Sequence, residues 1–231
     1  MTGPALLPDG RQVVLGPDVR QVLSCGLLVP ESVRIGESAG LSAEIESCAA
    51  ELRQRYAAKL PSEIDTLREA RRLYRSVGMD PTRHRPSSEA LLRRVLKGQS
   101  LYTIHNAVDA CNLASLSFLL PIGLYDLDEV TGDVTLRLGR AGEEYPGIRK
   151  GVVHLAGRLG LFDREGPFGS PTSDSARTCV SEKSRRLLAV IMATTSYPAD
   201  AMERNLALMA DLYRRHCDAT ISHCAILTGE S

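Results

Sequence analysis

Hydrophobic and polar positions change period several times along the chain, and each change marks an element. In the first forty residues, apolar stretches such as "RQVVL" and "RQVLSCGLLVP" are cut by Gly and Pro, which predicts short strands. "SAEIESCAAELRQRYAAKL" and "SEIDTLREARRLYRSVG" then take on helical composition, with Gly78 as the stop of the second. After the turn "MDPTRHRP", Ser87 is placed to cap a helix through "SEALLRRVLK", with Glu89 in its first turn and Gly98 just past its end. A further helix is expected from about Tyr102 to Leu120. At about 100° per residue, Ile104, Ala107, Val108, Cys111, Ala114, Phe118 and Leu119 gather on one face. His105, Asn106, Asp109 and Asn112 gather on the other.

Downstream the period drops to two. "VTLRLG", "VVHLAG", "LGLFD", "RTCV" and "LLAVIMATT" read as strands between Gly-rich turns. "ADAMERNLALMADLYRRH" returns to helical spacing, with Met202, Leu206, Met209 and Tyr213 on one stripe, and "ATISHCAIL" follows as a strand. Helices early and late around a block of strands form an α+β pattern rather than alternating β-α units.

Composition adds bounds. A chain of 231 residues fits one large domain or two small ones, and 43% hydrophobic with 24% charged residues is ordinary for a globular protein. Lys+Arg and Asp+Glu are both 28, so bulk charge exerts no general pull toward nucleic acid. "MTGPALLPDG" lacks the basic start and apolar stretch of a signal peptide, and no apolar run approaches the roughly 20 residues of a membrane helix. Six cysteines without an export signal are expected as reduced thiols in a cytoplasmic protein with no membrane partner.

Three local features carry candidate chemistry. His105, Asp109 and Asn112 stand one above another at i, i+4 and i+7, on a face free of Lys, Arg and Glu. That face fits either a solvated exterior or a wall holding a polar ligand. Between Arg68 and Lys97, nine Lys/Arg meet three acids, either as an ordinary helical surface or as one facing phosphates, with Arg83 and Arg85 beside a helix N-terminus. "EGPFGSPTSDSARTCV", Glu165 to Val180, is a surface loop or the hydroxyl-rich rim of a pocket. Metal and cofactor signals are lacking. "HCDATISHC" fits no common zinc spacing, and its His223 and Cys224 would point to opposite faces of a strand. No G-x-S-x-G, P-loop or G-x-G-x-x-G occurs, and Cys111 and Cys179 lie on apolar faces without an activating neighbour. A Ser-His hydrolase is set by geometry, so residue order does not decide it.

From "HRPSSEALLRRVLKGQS" onward the chain resembles the B3/B4 domain of the phenylalanyl-tRNA synthetase beta subunit. "IHNAVDACNLASLSFLLPIGLYDLDEVTG" parallels that family's ordered Asn, Val-Asp, Asn, Pro, Asp-Leu-Asp and Gly, and the likeness runs roughly from Ser62 to Ala193. It implies residues 62–193 as a tRNA-binding and editing core, with 1–61 an N-terminal part of the same domain and 194–231 a C-terminal helix and strand. The implied fold is α+β, a layered sheet sandwich with flanking helices. The implied activity is editing, hydrolysis of the ester of a mischarged tRNA. A free-standing copy would act in trans on the aminoacylated 3′ end, without cofactor or metal and with a homodimer as one possible assembly.

Two departures alter the specificity that the resemblance implies. Gly123 stands where the synthetase has His in its Pro-Leu-His turn, and Ala189 where it has a Glu that contacts a tyrosine hydroxyl. Tyrosine specificity therefore does not carry over. On this reading Asn106, Thr172 and Ser173 are the catalytic candidates. Asp109, Asn112, Gly123, Asp126, Gly169 and Ser170 are the substrate-binding candidates, and Arg83, Arg85, Arg93 and Lys97 the tRNA contacts. The polar helix face and the Gly-Ser-Pro-Thr-Ser loop are expected as two sides of one pocket. A non-catalytic module binding tRNA or an amino acid, and an enzyme acting on a small substrate, remain the alternatives.

Overall fold

The longest apolar runs of the sequence become the central strands. The computed structural model describes residues 3–57, 59, 63–148 and 151–229. In chain order its first half contains β1 (Ala5–Leu6), β2 (Gln12–Leu15), β3 (Leu23–Glu31), α1 (Ala39–Tyr56), α2 (Leu67–Ser76), α3 (Ser87–Leu96) and α4 (Asn106–Phe118). The second half contains β4 (Ile122–Asp126), β5 (Val134–Leu138), β6 (Glu144–Gly147), β7 (Gly151–His154), β8 (Leu159–Asp163), β9 (Gly166–Gly169), β10 (Leu187–Thr194), α5 (Ala199–Cys217) and β11 (Thr220–Thr228). The expected boundary between residues 61 and 62 lies outside the described residues.

An antiparallel four-stranded sheet has the order β11-β3-β10-β4, and a five-stranded sheet the order β1-β2-β5-β8-β9. β6 and β7 form a separate hairpin. β3 and β10 are buried almost end to end because both faces of their sheet are covered, so they read as continuous apolar runs rather than as alternation. The period of two reappears in the packing. Leu188, Val190 and Met192 face the five-stranded sheet together with Leu23, Leu27 and Tyr125, whereas Leu187, Ala189 and Ile191 face the helices. The result is three layers: five-stranded sheet, four-stranded sheet, helices. β3 from the N-terminal segment and β11 from the C-terminal segment complete the sheet begun by β4 and β10.

α5 shows why its stripe was readable. Met202, Leu206, Met209 and Tyr213 are all buried, each side chain contributing about 1.5–3 kcal/mol relative to exposure. The helix sits close against the backbone of β3 at Gly26, where a Cβ would lie 2.8 Å from Met202 Sδ. Gly78 and Gly98 adopt φ of +73° and +71° after α2 and α3, the left-handed geometry of a helix stop.

Three boundaries differ from the sequence reading. Ser87 is the first residue of α3 rather than its cap; Pro86 precedes it, and the Ser87 hydroxyl has no partner. α4 begins at Asn106, not near Tyr102, because His105 is extended and its Nδ1 accepts from the Val108 N–H at 3.4 Å. "RTCV" is a turn and coil. Arg177 there pairs with Asp163 at 2.9 Å, and the Thr178 carbonyl accepts from Asp126 N at 2.9 Å. No helix among the described residues is long and apolar enough to cross a membrane.

Candidate functional site

The hydroxyl-rich segment is a built turn. It leaves β9, and Ser170 pins the residues just after it. Ser170 Oγ donates to the Ser173 carbonyl at 3.0 Å and accepts from Ser173 N at 3.1 Å and Thr172 N at 3.3 Å. Tyr145 Oη lies 3.1 Å from Ser170 Oγ and also reaches the Ser173 carbonyl. Thr172 Oγ1 is 2.8 Å from the hydroxyl of Tyr74, whose pKa burial pushes up. Two of the three side-chain hydroxyls are thus engaged in holding the loop. The Ser173 hydroxyl has no protein partner among the described residues, and Ser173 lines a cleft.

That cleft holds about 250 Å³ and is lined by the loop residues Ser170, Thr172 and Ser173. Its floor is apolar, with Met79, Leu155 and Leu159 all buried. His84, His154 and Arg158 supply the remaining polar groups. His84 belongs to the turn after α2, which Asp80 fixes. The Asp80 carboxylate accepts from Thr82 N at 2.9 Å, and its carbonyl accepts from His84 N at 2.8 Å. α3 ties this turn to the loop through Ser87 N, which donates to the Pro171 carbonyl at 3.4 Å. Burial pushes the His84 pKa below that of an ordinary histidine, and the Arg158 and Arg83 cations add to the effect. The neutral form of its imidazole is thereby favoured. His154 instead lies 2.8 Å from Glu144 on the β6–β7 hairpin.

No α4 residue lines this cleft. The expected polar face of α4 is partly enclosed, with His105 half-buried. Asn106 and Asp109 are buried, while Ile104, expected on the apolar side, is 49% exposed. α4 packs against α1, α3, α5 and β4, so nearly every direction around it is protein. The Asn106 amide is fully used. Its Nδ2 donates to the Arg34 carbonyl at 2.8 Å and the His216 carbonyl at 2.6 Å, and its Oδ1 accepts from Gly36 N at 2.9 Å. Asp109 accepts from Ile104 N at 3.1 Å, and burial raises its pKa. Asn112 is half-buried on the next turn. Asp126 is buried too, receiving Asp128 N at 3.1 Å and the Ser184 hydroxyl.

Asn106→Ala is accordingly expected to act on stability. It strands two carbonyls and two N–H groups, those of Gly36 and Ala107, in a buried place, a loss of about 2–4 kcal/mol. Urea unfolding measures this, and Asn106→Asp should recover only the bonds accepted from Gly36 and Ala107.

Gly123 and Gly169 have a shared reason. A Cβ on Gly123 would lie 2.1 Å from the Tyr125 hydroxyl, and one on Gly169 would lie 2.2 Å from it. The phenol occupies the space between β4 and β9. Burial raises its pKa most, and the nearby Asp174 raises it further. A histidine at position 123 has no room while Tyr125 stays there. Ala189 faces the other side of the sheet, fully buried opposite Leu28 and Leu124.

The cation run divides by partner. Glu89, 2% exposed, binds Arg71 through two bonds of 2.7 Å and Arg93 through one of 2.8 Å, so Arg93 is neutralised. Arg83 reaches Asp80 only at 3.8 Å. Arg85 and Lys97 are exposed and have no ion pair among the described residues. Arg83 and Arg85 flank His84 in the sequence, and neither lines the cleft. His84, His154 and Arg158 were missed in the sequence. The only local signal was a histidine between two arginines in "TRHRP".

Comparison with known proteins bears on this arrangement. An N-terminal fragment of the phenylalanyl-tRNA synthetase beta subunit from Pyrococcus horikoshii is similar in structure, with a TM-score of 0.46 and 12% identity. The match covers 93% of this chain and 50% of that one, so the chain spans about half the fragment's length. No curated protein matches the sequence. The family model of the B3/4 domain matches residues 69–223, from α2 into β11, and takes in the His84 turn, α4, the cleft and the hydroxyl-rich loop. With more than half its length matched, the chain belongs to the B3/4 domain family.

Proposed function

We propose that the protein hydrolyses the ester joining an amino acid to the 3′ end of tRNA, and that the cleft between the His84 turn and the Ser170–Ser173 loop is where it does so. The observation carrying this reading is the joining, in one small cleft, of a histidine, an arginine and a serine without a hydroxyl partner over an apolar floor. About 250 Å³ lies just under the roughly 300–1,000 Å³ of ordinary ligand pockets. It suits the amino acid alone, with the nucleotide outside. The ester is already activated, so positioning and charge stabilisation do most of the work. His84 takes a proton from the attacking water and returns it to the ribose 3′ oxygen as the ester C–O bond breaks. Arg158 and Ser173 receive the charge that develops on the carbonyl oxygen. Thr172 and Ser170 hold the loop, and Arg83, Arg85 and Lys97 meet tRNA phosphates. The floor of Met79, Leu155 and Leu159 favours an apolar side chain. Asn106, Asp109 and Asp126 act at a distance, by fixing the frame.

A second reading, a module that binds tRNA or an amino acid without turnover, is favoured by one feature. Tyr125 fills the space beside Gly123, where the synthetase-like histidine would project. Incubation with a panel of mischarged tRNAs separates the two. Loss of at least one aminoacyl ester well above the buffer rate is expected. Binding with no ester lost faster than in buffer favours the second.

A further inference from the structure

α5 and β11 border a second, larger hollow of about 580 Å³ on the far edge of the four-stranded sheet. The α5 side presents Glu203, Ala207, Ala210 and Arg214 along one stripe, and Ile221 and Cys224 of β11 form the opposite side. Arg214 is close enough to Cys224 to offset part of the rise that burial causes in its thiol pKa. The groove thus runs from an acidic end to a basic end, with small apolar residues between. Its two charges are unlike their neighbours. Arg204 pairs with Asp200 and Arg215 with Asp211, each at 2.7 Å one helical turn away, while Glu203 and Arg214 have no ion pair among the described residues.

Arg214 follows Glu203 by eleven positions, about 16 Å along a helix. Such a groove is complementary to itself. Turned by a two-fold axis, a second α5 runs antiparallel to the first and brings each Glu203 opposite the partner's Arg214. Ala207 and Ala210 fall near the axis, where small side chains permit close helix approach. The formal net charge of zero adds no long-range repulsion between copies. We propose that the α5–β11 groove is the contact between two copies of this chain, packed about a two-fold axis with reciprocal Glu203–Arg214 pairs.

Charge reversal tests this, read by sedimentation velocity over a concentration series. The wild-type chain of 25.1 kDa is expected to sediment as a dimer. Glu203→Arg and Arg214→Glu each place like charges together, and each is expected to raise the dimer dissociation constant about 100-fold or more. The double variant, with both charges exchanged, is expected to dimerise again. Both side chains are exposed, so thermal midpoints near that of the wild type check that each variant is folded. A monomeric wild type, a dimer indifferent to both single reversals, or a folded double variant that stays monomeric would each overturn the proposal.

Discussion

Replacing Glu89 with alanine is expected to destabilise the protein by about 3–5 kcal/mol, the usual cost of removing one partner from a buried ion pair. Glu89 is 2% exposed and Arg71 only 18%, so the arginine left behind keeps its charge in a place water scarcely reaches. Arg93, at 36% exposure, can turn to solvent and adds little. For a chain of this length the loss corresponds to about 6–20 °C in thermal midpoint. Acidity provides a second reading. Burial alone would raise the Glu89 pKa, but hydrogen bonds from Arg71 and Arg93 outweigh it and hold the carboxyl below its ordinary 4.5. A carboxyl depressed in the folded state contributes stability that is fully present above its unfolded pKa and lost as pH falls through the folded value. The gap between wild type and Glu89→Ala should therefore narrow in acid. A fall under about 1 kcal/mol at neutral pH would show that the pair is solvated.

His84→Ala is expected to lower deacylation about 10²–10⁴-fold, the usual contribution of a positioned general base. tRNA affinity should change little, because the phosphate contacts are assigned to Arg83, Arg85 and Lys97. The pH profile separates a base from a structural histidine. Burial, with Arg158 and Arg83, depresses the imidazole pKa, so the base form persists below the ordinary 6.5. The enzymatic rate should climb from acid with its inflection below that value, and the variant should lose the inflection. An unchanged inflection, or a rate within a factor of two or three, would remove His84 from the mechanism.

What could be read in the sequence was whatever a single element decides. The stripe of Met202 to Tyr213 fixed a helix and its buried face, and the apolar runs of β3 and β10 were legible as strands because both faces of their sheet are covered. The glycines at 78 and 98 marked stops that their positive φ confirms. Failures occurred where a distant partner decides. Asn106 looked like a side chain for a ligand, yet it belongs to the backbone at Arg34, Gly36 and His216, up to 110 residues away. Arg177 turned an apparent strand into a loop by binding Asp163. The cleft was legible on one wall only. Its hydroxyl loop shows in composition, whereas the opposite wall comes from the turn at 79–84 and the stretch 152–159, which no local period brings together.

The most direct measurement is to titrate the protein with an adenosine carrying an apolar amino acid through a 3′-amide, which cannot be hydrolysed, and follow it by NMR. Chemical-shift changes and contacts centred on His84, Val153, Leu155 and Ser173 are the result this account requires. Changes centred instead on Asp109, Asn112 and Gly123, with the His84 ring undisturbed, would move the site to α4 and contradict it.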